Sequence, residues 1–325
     1  MTGDGTTGSL PKGISISPDG ARLYVTNYGQ RNHRNVSVFD AATLHRLSEI
    51  HVPGIVVESV VSPDGNTLYL SNFTRGSVQV VDLATGAVRL EIPTTGRNPK
   101  IVVLSPDGRR LFAANWSSRN VTEIDTSTGI VTRTLAAGTN PRGMAVARDG
   151  TLYVANFSDH SMEVYSGASM EHHVHVSRLC RVPRHLVLAP DDSMLYVSCM
   201  GQSTVVGVDP ATLRIVHSVR VGSAPKAIDV CPGGRYLFTA NYGGHGISLV
   251  DVSDWSARTL EIPGADHTSG VVCARSGLRA FVTGWYDYHV YAVEPEGVVP
   301  ALVFSSERLR DVDRLREYHR QHPVE

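Results

Sequence analysis

One five-residue motif recurs seven times along this chain, and the recurrence constrains the fold more than any other feature. It reads Leu-Tyr-Val-Thr-Asn at its first occurrence, and the seven copies stand at residues 23–27, 68–72, 111–115, 152–156, 195–199, 237–241 and 280–284. Successive copies are 41 to 45 residues apart. A period in the low forties, built from short alternating strands, is typical of the blades of a β-propeller. We therefore predict an all-β fold with seven blades.

Each repeat predicts the same four antiparallel strands, here named A to D from the channel axis outward. In the first repeat a short apolar strand A leads into the turn Ser17-Pro18-Asp19-Gly20. Proline fixes φ, aspartate bonds its own backbone, and glycine accepts the left-handed conformation that closes a tight turn. The motif then forms strand B, and two further strands complete the blade. Because stacked repeats share one continuous core, a single domain is expected despite the 325-residue length.

These residues carry a family resemblance. The literal Tyr-Val-Thr-Asn at residues 24–27, the recurring Ser-Pro-Asp-Gly and the Gly-x-x-Pro before strand A resemble the YVTN β-propeller repeat family over roughly residues 10 to 304. The Asn-Tyr-Gly-Gly at residues 241–244 is similar to a loop of lactonase-type seven-bladed propellers. The resemblance implies the fold but no single function, because propellers include lyases, lactonases, dehydrogenases and scaffolds.

The last repeat and the C-terminal residues predict how the ring ends. We expect a propeller domain over residues 1–304, with a fourth strand of blade 7 at residues 298–304 and closure by contact between blades 1 and 7. Residues 305–325 have apolar residues at helical spacing, which predicts a short C-terminal helix. That tail would either pack on the propeller flank or cover one face as a lid.

Composition excludes several classes of partner. The formal net charge is −1, so no overall basic field favours nucleic acid or an anionic membrane. No run of about 18 apolar residues predicts a transmembrane helix. The first ten residues lack the basic and apolar regions of a secretory signal, and the four cysteines are widely spaced. We therefore expect a cytoplasmic monomer with four reduced thiols.

One face of the ring concentrates charge and aromatic rings. In propellers the start of strand A and the loop between strands B and C emerge on the same face. The position after the repeat proline is cationic in five blades, with Lys12, Lys100, Arg142, Arg184 and Lys226. The position after the repeat asparagine is aromatic in six blades, with Tyr28, Phe73, Trp116, Phe157, Tyr242 and Trp285.

Five converging cations repel one another and call for a counter-ion or ligand. A cationic ring rimmed by aromatics suits a small anion with a planar or apolar body, so we predict that these eleven residues bind substrate. The alternative for the aromatic residues is structural packing between blades.

Departures from the repeat identify candidates for catalysis. Glu58 and His185 occupy a position of strand A that is small or apolar in the other blades, and Asp229 is the one charged residue at the position two further on. His245 and His267 are expected on the same face. Such groups are suited to acid–base chemistry on an anionic substrate, in a lactonase, lyase, isomerase or cyclase without a redox cofactor. Each residue alone is also explained as a satisfied polar core residue.

A metal site is not favoured by the histidine pattern. The loop histidines, including His33, His160 and His289, stand at different offsets in their repeats. The cluster His172-His173-Val174-His175 falls on an outer strand of blade 4, where we expect His173 to point away from the other two histidines. No metal or other cofactor is therefore expected. The competing functional hypothesis is a non-catalytic propeller that binds an acidic peptide or a partner protein on the same face.

Overall fold

A computed structural model of the chain describes residues 9–29 and 35–294, which form seven antiparallel sheets arranged as the blades of a ring. Six sheets have four strands, and three strands of the seventh lie in the described part of the chain. In every sheet the strands follow sequence order, so each blade is a simple meander. The prediction of an all-β, seven-bladed propeller with YVTN-type repeats is confirmed.

The strand bounds of the first four blades follow the predicted order. They are β1 (Ser9–Ile16), β2 (Arg22–Gly29), β3 (Val36–Asp40) and β4 (Arg46–Ile50); β5 (Val56–Val61), β6 (Thr67–Asn72), β7 (Ser77–Asp82) and β8 (Val88–Pro93); β9 (Pro99–Leu104), β10 (Arg110–Asn115), β11 (Asn120–Asp125) and β12 (Val131–Ala136); and β13 (Pro141–Val146), β14 (Leu152–Asn156), β15 (Ser161–Ser166) and β16 (His172–Val176).

The remaining blades repeat this pattern. Their strands are β17 (Pro183–Leu188), β18 (Leu195–Cys199), β19 (Thr204–Asp209) and β20 (Arg214–Arg220); β21 (Pro225–Val230), β22 (Tyr236–Asn241), β23 (Gly246–Asp251) and β24 (Ser256–Glu261); and β25 (Thr268–Cys273), β26 (Ala280–Gly284) and β27 (Val290–Val293). The single helical element among the described residues is a 3₁₀ turn at Met200–Gln202. The predicted fourth strand of blade 7, the C-terminal helix and His33 lie outside the described residues.

The turn between strands A and B forms as its residues predict. The Ser17 hydroxyl accepts the Arg22 amide at 2.9 Å, and the Asp19 carboxylate accepts the Ala21 amide at 3.0 Å. Gly20 takes a φ of +75°, which favours glycine at this position. These turns close the A–B hairpins and place the ends of the inner strands on one face of the ring.

Neighbouring blades are joined through their inner strands and through apolar clusters. The Thr26 hydroxyl of β2 donates to the Val57 carbonyl of β5 at 2.7 Å, and the Ser198 hydroxyl of β18 donates to the Lys226 carbonyl of β21 at 2.9 Å. The ring closes because blade 1 packs on blade 7, where Phe39 shares a buried cluster with Phe281. These contacts hold the residues after each repeat proline in place around the axis.

Two disulfides contradict the prediction of reduced cysteines. Cys180 bonds Cys199, and Cys231 bonds Cys273; no free cysteine remains in the described residues. Cys199 stands where five other repeats have asparagine. In two of those blades the asparagine holds the preceding loop by a hydrogen bond, as Asn156 Oδ1 does by accepting the Gly138 amide at 3.0 Å. The Cys180–Cys199 bond makes the same connection covalently in blade 5.

The second disulfide joins Cys231, directly after β21, to Cys273 at the end of β25; these are the inner strands of blades 6 and 7. Disulfides persist mainly in oxidising compartments, so the expected cytoplasmic location loses the support that the cysteines gave it. Among residues 9–29 and 35–294, none of the helical structure is long and apolar enough to cross a membrane.

Candidate anion site in the central channel

Local backbone irregularities direct the five cations toward the axis. In each of the five inner strands that carry them, the register with strand B shifts at the cation: Arg142 lies between the paired residues Pro141 and Gly143, and Arg184 lies between Pro183 and His185. Lys12, Lys100 and Lys226 fall in the equivalent shifts. A β-bulge inserts one unpaired residue and re-aims its side chain. The repeat therefore builds the cation cluster into the start of strand A.

The cations are largely removed from solvent. Lys12, Lys100, Arg142 and Lys226 are only 3–6% exposed, and Arg184 is half-buried. Burial, followed by repulsion from neighbouring arginines, lowers the pKa of Lys12 and Lys226 well below the usual range for lysine. Such a cluster costs free energy unless negative charge compensates it.

Glu58 is the one carboxylate that approaches this cluster closely enough to form an ion pair among the described residues. Its Oε1 lies 3.8 Å from Arg142 Nη2, and its side chain is 23% exposed. A Cβ added at Gly13 would clash with Glu58 Oε2, so the glycine in blade 1 makes room for this carboxylate. Burial raises the pKa of Glu58, and the surrounding cations oppose that shift.

Two guanidinium nitrogens have no hydrogen-bond partner within the described residues. They are Arg142 Nη1 and Arg184 Nε, and both atoms are buried. A buried donor without a partner costs about 1–3 kcal/mol, and more when it belongs to a charged group. Among the residues that the structure describes, the site therefore has more positive than negative charge and two unused donors, which an anion would satisfy.

The aromatic residues stack on these cations. Trp116 lies 3.8 Å from Lys100 Nζ, Tyr242 lies 4.0 Å from Lys226 Nζ, and Tyr28 lies 4.4 Å from Lys12 Nζ, measured to ring centroids. Trp285 contacts both Lys12 and Lys226, Phe73 contacts Lys100, and Phe157 contacts Arg184. Edge-to-face and tilted ring pairs link most of these aromatics. We name the six rings the aromatic layer.

A cavity of about 520 Å³ lies beneath this layer. One end is lined by Glu58, Arg142, Arg184 and Lys226, and the other by exposed residues of the A–B turns, including Pro106, Arg148, Pro190 and Arg275. Lys12, Lys100 and the aromatic layer do not line it. The predicted cation ring is therefore present, but the cavity reaches solvent at the opposite face, and the aromatic rings contact the protein's own cations.

His185 and Asp229 share this cavity with Glu58. His185 Nδ1 lies 3.0 Å from the Ile228 carbonyl and 3.4 Å from the Ile228 amide. The shorter contact favours the tautomer with the proton on Nδ1, in which Nε2 is an acceptor. Burial, reinforced by Arg142, lowers the pKa of His185 to about 4, so the imidazole is neutral at pH 7. Burial raises the pKa of Asp229 to about 6, although the amides of Cys273 and Val230 donate to its carboxylate.

The structure does not bring the other two predicted catalytic histidines into this group. His245 is exposed, with Nδ1 2.9 Å from the Ala265 carbonyl. His267 bonds Asp266 at 2.6 Å and contacts the rings of Tyr242 and Tyr286. Neither histidine lines the cavity, because both belong to loops on the far side of the aromatic layer.

The outer-strand histidines also differ from expectation. His173 and His175 lie on the same face of β16, and both bond the buried carboxylate of Glu163, at 2.7 and 2.9 Å. The prediction that His173 points away from both other histidines is wrong, because residues two apart on a strand share a face. Within the described part of the chain, no group of three or more His, Cys, Asp or Glu residues could hold a metal ion.

Solved structures share this architecture at low sequence identity. The chain is similar to Kuenenia stuttgartiensis hydrazine synthase, with a TM-score of 0.76 and 21% identity over 90% of this chain and 98% of that one. It is also similar to virginiamycin B lyase from Staphylococcus aureus, with a TM-score of 0.73 and 14% identity over 87% and 94% of the two chains. At these identities the likeness concerns the fold alone.

Sequence comparison gives a relative and a family. The chain is 28% identical over 194 residues to antigen Lp49 of Leptospira interrogans serogroup Icterohaemorrhagiae serovar copenhageni (strain Fiocruz L1-130), a match that covers 58% of this chain and 42% of the relative. The chain thus spans about two fifths of that relative's length. A family model described as YNCE-like beta-propeller matches residues 59–262, well over half of the sequence. The chain belongs to the YNCE-like beta-propeller family.

Proposed function

We propose that this propeller binds a small anionic molecule in its central channel. The main observation behind the proposal is the pair of buried guanidinium nitrogens, Arg142 Nη1 and Arg184 Nε, which have no hydrogen-bond partner within residues 9–29 and 35–294. They belong to the cation cluster that Glu58 approaches. Arginine presents planar donors that match a carboxylate or phosphate. An anion at this point would use the free donors and offset the mutual repulsion of the cations.

The proposal extends to an enzyme that acts by acid–base chemistry without a redox cofactor. Glu58 is the group best suited to transfer a proton, because it stands beside Arg142 at the cationic end of the cavity and burial raises its pKa. His185 would act as a neutral hydrogen-bond acceptor at Nε2. Lactone hydrolysis, elimination, isomerisation and cyclisation are the reaction classes that need only these groups and an electrostatic anion site.

Binding is tested by titrating the protein with a panel of small carboxylates and phosphates, followed by calorimetry and thermal unfolding. A true ligand raises the free energy of unfolding by about 2.7 kcal/mol at a hundredfold excess over Kd. Arg184→Met should weaken binding about 10- to 100-fold, the effect of losing a charged hydrogen bond. The matched control is Arg214→Met on the exposed strand β20, which should bind as the wild type does.

Turnover is a separate measurement on the same variants. With lactones and with carboxylates that carry acidic α-hydrogens as substrates, Glu58→Gln should abolish turnover while binding is retained. If the protein binds anions and converts none of them, the proposal is reduced to a binding protein. If no anion of the panel binds, the proposed anion site is refuted. In the competing hypothesis, an acidic peptide on the aromatic face would not reach Lys100 or Lys226, because both lysines are buried beneath the rings, and would have to use the exposed loop arginines instead.

A further inference from the structure

We infer that the ligand class of this channel is an elongated amphipathic carboxylate, which enters from the face of the A–B turns with its carboxylate first. This inference rests on the proposed anion site and adds the body of the ligand and its direction. The inference rests on the residues that line the cavity between its cationic end and the A–B turns. We name this length of the cavity the shaft.

The shaft is lined mainly by aliphatic side chains that the core leaves half-buried. Val60, Val103, Val187, Leu104, Val146 and Leu188 all line it. Each packs on one side against a core cluster formed within or between blades. Because these side chains remain partly accessible and line the cavity, they offer apolar surface to whatever occupies it.

The polar groups of the shaft already have partners within the protein. Ser15 and Ser59 bond each other through their hydroxyls at 2.8 Å. The Asp229 carboxylate accepts the amides of Cys273, at 2.8 Å, and of Val230, at 3.0 Å. Within the described residues these polar side chains therefore have partners, whereas Arg142 Nη1 and Arg184 Nε at the cationic end have none. This distribution matches one charged head and one apolar body.

Direction and length follow from the two ends. The aromatic layer is occupied by its contacts with the cations and does not line the cavity, whereas Pro106, Arg148, Pro190 and Arg275 line it and are exposed. Six residues separate Arg142 from Arg148 along one inner strand and the start of its turn, which corresponds to about 20 Å of extended chain. Arg148 and Arg275 outnumber Asp192 among the charged residues that line the entrance, which favours the approach of a carboxylate.

The test is a calorimetric series of straight-chain monocarboxylates, from acetate through butyrate, hexanoate and octanoate to decanoate, against the full chain. We expect affinity to rise about three- to fourfold for each buried methylene, the ratio that transfer of a methylene from water gives. Val187→Ser, which keeps the cation cluster, should reduce this dependence on length and leave the affinity for acetate unchanged. Ala145→Phe should block the longer acids and spare acetate.

If Ala145→Phe does not fold, the Val187→Ser comparison still decides. If acetate binds and affinity does not rise with chain length, the amphipathic ligand is refuted and the anion site is retained. A series in which no member binds, while other anions of the panel do, would also refute it. Failure of every anion in the panel would refute the proposed function itself, so the two failures are distinct.

Orientation is tested with brominated octanoates and tryptophan fluorescence. Trp116 and Trp285 lie in the aromatic layer beside the cations, and Trp255 packs near Tyr196 away from the cavity lining. Bromine quenches only at short range, so 2-bromooctanoate, with its bromine next to the carboxylate, should quench more than 8-bromooctanoate. The reverse order would place the apolar body against the aromatic rings and overturn the inferred direction.

Discussion

The two ends of the central channel differ in what closes them. At one end, buried ammonium groups lie under aromatic rings, and Trp285, 4% exposed, contacts both Lys12 and Lys226. At the other, the A–B turns carry exposed arginines and prolines around an opening. The difference teaches that a cation near an aromatic ring need not mark an entrance. The protein's own rings contact Lys12, Lys100, Arg184 and Lys226, and of these only Arg184 and Lys226 also line the cavity.

The largest expected effect comes from removing an aromatic side chain at the end of the channel that the aromatic layer closes. Trp285→Ala should lower the free energy of unfolding by about 3–5 kcal/mol, because it removes a buried indole and its contacts with two ammonium groups. Arg275→Ala, at the open end, should leave stability unchanged within error. Denaturant unfolding measures both. Equal losses in the two variants would contradict the described difference between the ends.

Each end of the channel also carries one disulfide. Cys180–Cys199 lies where strand B ends at the aromatic side, and Cys231–Cys273 joins inner strands near the A–B turns. Removing the first should cost about 3 kcal/mol by the chain-entropy model. The double change Cys180→Gly with Cys199→Asn restores the residues of other blades and should recover part of that loss. Thiol titration of the unfolded protein, without and with reductant, checks that the disulfides form. Four free thiols before reduction would contradict both disulfides.

Acid titration should separate two opposing groups in the channel. The pKa of His185, lowered to about 4, means that its contribution to stability falls as pH drops from about 6.5 toward 4. The pKa of Asp229, raised to about 6, means that its contribution rises as pH drops from about 6 toward 4. In the wild type these two opposite changes of stability with pH largely cancel.

Single variants separate the pH dependence of stability that each group causes. His185→Gln should become more stable relative to wild type as pH falls through this window, and Asp229→Asn should become less stable, each by about 1–3 kcal/mol. Urea unfolding between pH 4 and 7 measures the differences. Parallel pH curves for both variants and the wild type would show that neither shift exists in solution.

The smallest effect is a gain in stability at the cationic end. Lys226→Met removes one buried charge from a crowded cluster and keeps an apolar side chain under the rings of Tyr242 and Trp285. We expect the free energy of unfolding to rise by about 1–2 kcal/mol while anion affinity falls. Lys226→Arg is the matched control, because it keeps the charge. A loss of stability in Lys226→Met with unchanged affinity would indicate a purely structural lysine.

Much of the fold and of the cation cluster could be predicted from single sequence positions. The seven motif copies predict the blades, and the position after each repeat proline predicts which cations converge, because a repeat places equivalent residues at equivalent points around the axis. Cys199 was also a readable signal, since it replaces the motif asparagine and Cys180 stands 19 residues before it, as Pro53 does before Asn72. Asp229 likewise differed from its repeat.

The sequence by itself determined the number of blades, the strand order and the residues of the cation cluster, because these follow from local periodicity. Only the tertiary structure decided which way the cavity opens, that the aromatic rings stack on the cations, and that His245 and His267 lie apart from His185 and Glu58. Those features depend on side-chain directions across different blades. A repeat specifies where a residue stands on its own strand, but what that residue faces depends on how the ring closes.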